Sequence, residues 1–157
     1  MDWKTAVVPA ASLSAADLKA CLDVLDEGKA VDIEFAAAEL PHALHVAVAR
    51  VETTIVAVTA IKRARPHYAS GISKKSGFEF RSDLPELGYA AVSKDHQGHD
   101  LGGRLVREIL AQFGSSPLFA TTSHPAMMKH LTRAGFARFG NSWPSKDGKE
   151  LTLWLRK

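Results

Sequence analysis

The sequence predicts a mixed α/β domain: a sheet of about seven strands with helices on both faces. Apolar segments of strand and helix period follow one another as β-α-α-β-β-loop-β-α-β-α-β-β. Helices between the fourth, fifth and sixth strands call for right-handed crossovers, whereas the earlier and last strands are joined closely enough to pair as hairpins. The third observation is a strand, a glycine-rich turn and a helix over Glu86 to Phe113, the layout of an anion site.

Composition narrows the function classes. A length of 157 residues suits a single domain over 1–157 with one substantial core. Hydrophobic residues at 46% and charged ones at 24% exclude disordered and fibrous chains. A net charge of +3 permits anionic ligands without demanding nucleic acid. The lone cysteine, Cys21, cannot form an internal disulfide and reads as a small core hydrophobe. No basic-apolar leader and no run of membrane-spanning length is seen, so a cytoplasmic location with no membrane partner is expected.

In chain order, Val7 and Val8 mark a first strand. Ser12 or Ser14 opens a helix, with Asp17 three residues after Ser14 in a capping-box arrangement. Leu18, Cys21, Leu22 and Leu25 form its buried stripe, and Gly28 its stop. Asp32 caps a short second helix through Ala36–Ala38 that must end before Pro41. Leu44 to Val51 and Ile55 to Ile61, apolar and β-branched, pair across a Glu-Thr turn. Glu39, His42 and His45 straddle a helix end, a proline and a strand start, so they share no face on which to hold a metal.

Lys62 to Asp83 reads as a long polar connection, with Pro66, Gly71, Gly77 and the cations Lys62, Arg63, Arg65, Lys74 and Lys75. A connection of this length in a compact domain is a candidate for function. Further on, Pro117 precedes a strand over Leu118–Thr122, and Ser123-His124-Pro125 starts a helix. Met127, Met128, Leu131 and Ala134 supply that helix's stripe, Gly135 its stop and Phe136 the contact that often follows. Phe136–Trp143 and Glu150–Arg156 then flank Pro-Ser-Lys-Asp-Gly as a C-terminal hairpin.

Within the organising stretch, Leu87 to Val92 is a short apolar strand. Leu101, Leu105, Ile109, Leu110 and Phe113 fall at helical spacing, with Gly114 ready to terminate. Between them lies Gln97-Gly98-His99-Asp100-Leu101-Gly102-Gly103. Glycines let the backbone approach a ligand, and amides at a helix N-terminus carry about half a positive charge to receive phosphate. The Gly-Lys-Ser/Thr ending of a nucleotide P-loop is missing, as is the dinucleotide fingerprint G-x-G-x-x-G. His96 and His99 beside Asp95 and Asp100 are scattered by the glycine turn, so no metal is expected there either.

The turn resembles the pyrophosphate signature of the GNAT superfamily, the acetyl-CoA-dependent N-acyltransferases, which runs Arg/Gln-x-x-Gly-x-Gly/Ala. Gln97, Leu101 and Gly102 fall in register, and Asp100 stands where the first glycine would be. Ala91-Val92-Ser93-Lys94-Asp95-His96 is similar to the family's strand exit, and Arg133-Ala134-Gly135-Phe136 to its helix-to-strand junction. The order of elements matches along essentially the whole chain.

The resemblance implies acetyl-CoA as co-substrate, no metal, and transfer to an unidentified primary amine of a small molecule or protein. The pantetheine arm would run along Ala91 and Val92, where the fourth and fifth strands splay. The pyrophosphate would sit on the segment Gln97, Gly98, His99, Asp100, Leu101, Gly102 and Gly103. Glu86, at the start of the fourth strand, stands where such enzymes often place a carboxylate that deprotonates the amine through water. The family's thiolate-protonating tyrosine is replaced by Leu131, and its helix-start asparagine by His124, which joins Tyr89 as a candidate acid. Arg65, Tyr68 and Phe78, in the polar connection, are candidate substrate contacts, with the cations there favouring an acidic acceptor.

Asp100 is the other departure. About 6 Å from a phosphate charge, its carboxylate would cost on the order of 1–2 kcal/mol. Alternatively it caps the next helix, its side chain turned onto the amides of Gly102 or Gly103. A GNAT fold that binds coenzyme A or a partner protein without turnover is the competing reading, encouraged by Leu131 and Asp100. Nucleic acid is disfavoured by the absence of a sustained basic-aromatic stripe. Sheet edges at the C-terminal hairpin leave a homodimer open.

Overall fold

The computed structural model describes residues 2–29 and 31–157. Its strands are β1 (Lys4–Val8), β2 (His45–Val51), β3 (Thr54–Arg63), β4 (Pro85–Val92), β5 (Leu118–Thr122), β6 (Ala137–Pro144) and β7 (Glu150–Arg156). Its helices are α1 (Ala15–Gly28), α2 (Ile33–Glu39), α3 (Pro66–Ser76), α4 (Leu101–Phe113) and α5 (Pro125–Arg133). The strands form a seven-stranded sheet in the order β1-β2-β3-β4-β5-β7-β6. β4 and β5 are parallel, with Glu86 opposite Phe119, while β1–β2, β2–β3, β5–β7 and β6–β7 pair antiparallel. The chain gathers into two compact units. One runs to Lys62 and resumes over Gly88–Gly114; the other joins Arg63–Leu87 to Ser115–Lys157.

In the first unit, β2 and β3 are buried almost end to end; residues of α1 and α2 pack on one face, and α4 lies against β2 on the other. Val46, Val48, Val58 and Ala60 cluster with Cys21, Val24 and Leu25 of α1, Ala36 of α2, and Leu40. Side chains alternate along a strand, so Ala47 and Ala49 face the other way, where α4 lies against β1 and β2. Burial pushes the Cys21 thiol up to about 11, so it acts as an apolar filler. Ser14 accepts the Asp17 amide (3.1 Å) and Asp32 the amides of Glu34 and Phe35 (3.1 and 3.3 Å), capping α1 and α2 as expected.

Two helix-end expectations are corrected. The left-handed stop of α1 is Lys29 (φ 54°), one residue past Gly28, and its amide returns to Leu25 and Asp26. The reciprocal half of the capping box is not made by Asp17. Its carboxylate takes both terminal nitrogens of Arg50 in β2, at 3.3 and 2.9 Å. The Arg50 hydrogen bond holds the Asp17 carboxyl below its ordinary value, outweighing the opposite push of desolvation. A depressed folded value means the pair stabilises the protein above the unfolded pKa, about 3.9, and the contribution fades as pH falls below it. Asp17→Asn is expected to cost about 0.5–1 kcal/mol in urea unfolding at pH 7. Below about pH 3 the two curves should converge; an equal gap at both pH values would exclude a charge contribution.

Lys62 to Asp83, which from Arg63 onward belongs to the second unit, is not the open polar connection expected from its composition. β3 continues to Arg63, and Pro66–Ser76 is helical. Pro66 sits in the first turn, where its missing N–H costs nothing, and Gly77 (φ 70°) takes the left-handed C-cap. Ala69 and Ile72 join a core with Leu84, Phe119, Trp143, Leu153 and Leu155, and α3 lies against β6 and β7. That contact requires Gly140. A Cβ there would meet the Ser76 carbonyl oxygen at 2.5 Å, and its φ of +72° disfavours any side chain. At the end of α5, Phe136 donates to the Leu131 carbonyl (2.9 Å) and Gly135 to that of Thr132 (3.2 Å), the paired stop implied by Gly135-Phe136.

Candidate active site

β4 leads into a short 3-10 turn over Lys94–His96 and then the glycine turn, where Gln97, Gly98, His99 and Asp100 are exposed. Gln97 folds its side chain back, donating from Nε2 to the Val92 carbonyl at 3.1 Å, and Gly98 turns the chain at φ +84°. Ala91 and Val92 are half-buried at the strand end. The first helical hydrogen bond of α4 runs from Arg104 to the Asp100 carbonyl (2.9 Å), and no side chain caps the helix. The amides of Leu101, Gly102 and Gly103 therefore precede the helical ladder, at the positive end of its dipole. Leu101 and Gly103 are buried and Gly102 half-buried, which anchors that end.

Asp100 does not cap α4. It adopts left-handed geometry (φ 57°), and its carboxylate accepts from Arg107 at 3.2 Å, two turns along the same helix face. Further back, Tyr89 sits in β4 at φ +48°, a conformation a bulky residue rarely takes. Its hydroxyl donates to Glu39 (3.0 Å), and the Lys62 ammonium lies 4.0 Å from its ring centre. Burial, above all, pushes the Tyr89 phenol up, so it keeps its proton despite the opposing pull of Lys62. Glu39 is thus engaged by a phenol; among the described residues no group of three metal-ligating side chains gathers.

In the second unit, Glu86 is 4% exposed on β4, and its Oε2 accepts from the Tyr68 hydroxyl at 3.3 Å. Tyr68, in the first turns of α3, is itself 39% exposed, so it reaches from solvent to a buried carboxylate. Arg65 is the exposed N-cap residue of α3, and Phe78 packs on Phe139 with ring centres 4.8 Å apart. The stretch does line a groove of about 740 Å³, bordered by Ser73, Lys74, Phe80, Arg81 and Asp83 rather than by those three. His124 is the exposed N-cap residue of α5 but makes no capping bond with its side chain; its amide donates to Thr122 (3.0 Å). Leu131 is fully buried.

No family model and no curated protein matches the sequence. Solved structures match the fold. Escherichia coli ElaA superposes with a TM-score of 0.73 over 99% of this chain and 100% of its own, at 14% identity. An acyl-CoA N-acyltransferase from Pseudomonas aeruginosa gives 0.69 over the same shares at 16% identity. The ribosomal-protein-S18-alanine N-acetyltransferase of Escherichia coli gives 0.61 over 97% and 92%, at 17% identity. The chain has the GNAT fold. β4, the glycine turn and α4 are the part of it where the sequence already resembles the GNAT pyrophosphate signature.

Several side chains around this segment have no signature in the sequence that would place them here. Trp3 lies against His96 and His99 from 93 residues away in the case of His96, and no local pattern announces that contact. In sequence Lys62 is one of several cations in a polar connection; in the fold it flanks Tyr89. Arg107 was legible in principle, since seven residues separate it from Asp100 on one helix face.

Proposed function

We propose that the chain is a single-domain, acetyl-CoA-dependent N-acetyltransferase, moving an acetyl group to a primary amine by direct transfer in a ternary complex. One observation carries the reading: in a GNAT fold, β4 runs into an exposed glycine turn and an uncapped helix start. There Gly98, His99, Asp100, Leu101, Gly102 and Gly103 would receive the pyrophosphate, with Gln97 bracing the turn and the pantetheine arm along Ala91 and Val92. Glu86 would take the amine's proton through water, oriented by Tyr68. The nitrogen then bonds the acetyl carbon, the carbon–sulfur bond breaks, and the departing thiolate takes a proton. Tyr89, which stays protonated, and His124 are the donors nearest in role. Holding both substrates in line can contribute about 7–11 kcal/mol, so little further chemistry is required of side chains.

The acceptor would approach past Arg65, Tyr68 and Phe78. Structures of similar fold include the S18-alanine enzyme and the NatC complex bound to Gag peptide and CoA, which favours including peptide amines in any acceptor screen. Thermal shift with acetyl-CoA, followed by thiol release across small and peptide amines, tests the proposal. Saturable binding with no thiol released would favour the second reading, a binding module, to which the buried Leu131 lends support. Absence of any coenzyme A effect would overturn the transferase and the coenzyme A-binding readings and leave only a partner-protein module.

Asp100 offers a separate test. Its pair with Arg107 is half-exposed and already offsets part of its charge. Asp100→Gly removes that carboxylate, frees the guanidinium and suits the left-handed backbone. Coenzyme A should bind about fivefold tighter by calorimetry, the equivalent of about 1 kcal/mol. Weaker binding would show that the Asp100–Arg107 pair itself shapes the turn.

A further inference from the structure

The turn proposed to hold the diphosphate has little burial of its own: Gln97, Gly98, His99 and Asp100 are all exposed, and a Cβ at Gly98 would meet nothing within 4 Å. What it does have is a neighbour from 93 residues earlier in the chain. Trp3, just before β1, donates from Nε1 to His96 Nδ1 at 3.3 Å, its ring edge-on to that imidazole. The same indole lies 4.9 Å from the His99 ring. On the helix side, Arg104 reaches back to the Trp3 carbonyl (3.5 Å) and the Thr5 hydroxyl (3.3 Å), and Thr5 donates to Glu108 at 2.7 Å. The start of β1 is therefore stitched to both flanks of the glycine turn, His96 before it and Arg104 after it, and to His99 within it.

We propose that Trp3 is a positioning residue that clasps the Gln97–Gly103 turn in its diphosphate-receiving form. The inference rests on the coenzyme A reading above. Trp3 would touch no reacting atom. A flexible turn must be ordered when the ligand arrives, and that ordering cost weakens binding; a turn already held by the indole has met it beforehand. The same logic confines the effect to ligands that carry a diphosphate, because a pantetheine thioester engages β4 and not the turn.

The experiment compares acetyl-CoA with S-acetylpantetheine, which lacks the diphosphate. Trp3→Ala should raise KM for acetyl-CoA about tenfold, leave kcat within about twofold and leave KM for S-acetylpantetheine unchanged. Trp3→Phe, which keeps a ring against His99 but has no N–H for His96, should recover part of the loss. From the other side, His96→Phe should reproduce the defect and His96→Asn, which retains an acceptor, should correct it. The His96 pair decides the matter if Trp3→Ala does not fold. Equal losses for both thioesters would mean a general structural role and overturn the clasp, as would no loss for either. A wild-type chain that binds no coenzyme A overturns the site reading and the clasp together. A wild type that binds it, with variants indistinguishable from it, overturns the clasp alone.

Discussion

Gly102→Glu should abolish coenzyme A binding while making the protein more stable. Gly102 is the second residue of α4, a helix with no acidic residue in its first turn and no side-chain cap. Replacing a helical glycine gains at most about 0.5–1 kcal/mol in propensity, less in a first turn, and a carboxylate at the positive end of the dipole adds about 0.3–1 kcal/mol. Together these should raise the melting temperature by several degrees. For the proposed diphosphate the same carboxylate is a competitor. It occupies the amides, and at about 5 Å with an effective dielectric near 20 it repels each phosphate charge by about 3 kcal/mol. A hundredfold loss of affinity is the least expected. Melting curves with and without coenzyme A read both effects. If coenzyme A still stabilises Gly102→Glu as it does wild type, the anion seat is not at α4. If the ligand-free melting temperature falls, the glycine serves packing rather than access.

This opposition between stability and binding explains why the segment could be read early. α4 shows itself in sequence because Leu105, Ile109 and Leu110 repeat at helical spacing and are buried in the fold. The caps at Ser14 and Asp32 are local chemistry, visible a few residues ahead of each helix. α3 was hidden for the opposite reason. Its buried residues are Ala69, Ile72 and Ser76, too small and polar to outline a stripe, and its Pro66 and Gly77 read as loop punctuation when they are its first turn and its cap. The insertion of β7 between β5 and β6 depends on pairing between distant strands and has no local signature. Of the candidate site, the turn was legible as a pattern and Arg107 stood at a spacing that reaches Asp100, yet which donor would take the carboxylate was not. Two donors competed for one carboxylate, and the Arg107 guanidinium prevailed over the helix amides. Tyr89 stood out as a hydroxyl, but its partners Glu39 and Lys62 approach from elsewhere in the chain, and no local pattern marks its left-handed backbone.

Glu86→Gln should lower kcat about 10²–10⁴-fold with little change in KM for acetyl-CoA, the range a positioned base supplies. The substitution is close to isosteric, and its amide oxygen can still accept from Tyr68, so the buried environment of a 4%-exposed side chain is disturbed as little as possible. What it loses is the capacity to take a proton. The loss should therefore depend on the acceptor. An alkylamine is protonated near neutral pH and must be stripped of a proton before it can attack; a weakly basic amine arrives neutral. Measured against a series of amines of falling basicity, the ratio of wild-type to variant kcat should shrink toward unity. Tyr68→Phe, which keeps the ring and removes only the hydroxyl hydrogen bond, should fall between wild type and Glu86→Gln because it takes away one contact of the carboxylate without deleting the base. A constant ratio across the amine series would make Glu86 a structural carboxylate, held by Tyr68 to join α3 to β4, and would move the search for the base to the water beside the acceptor itself.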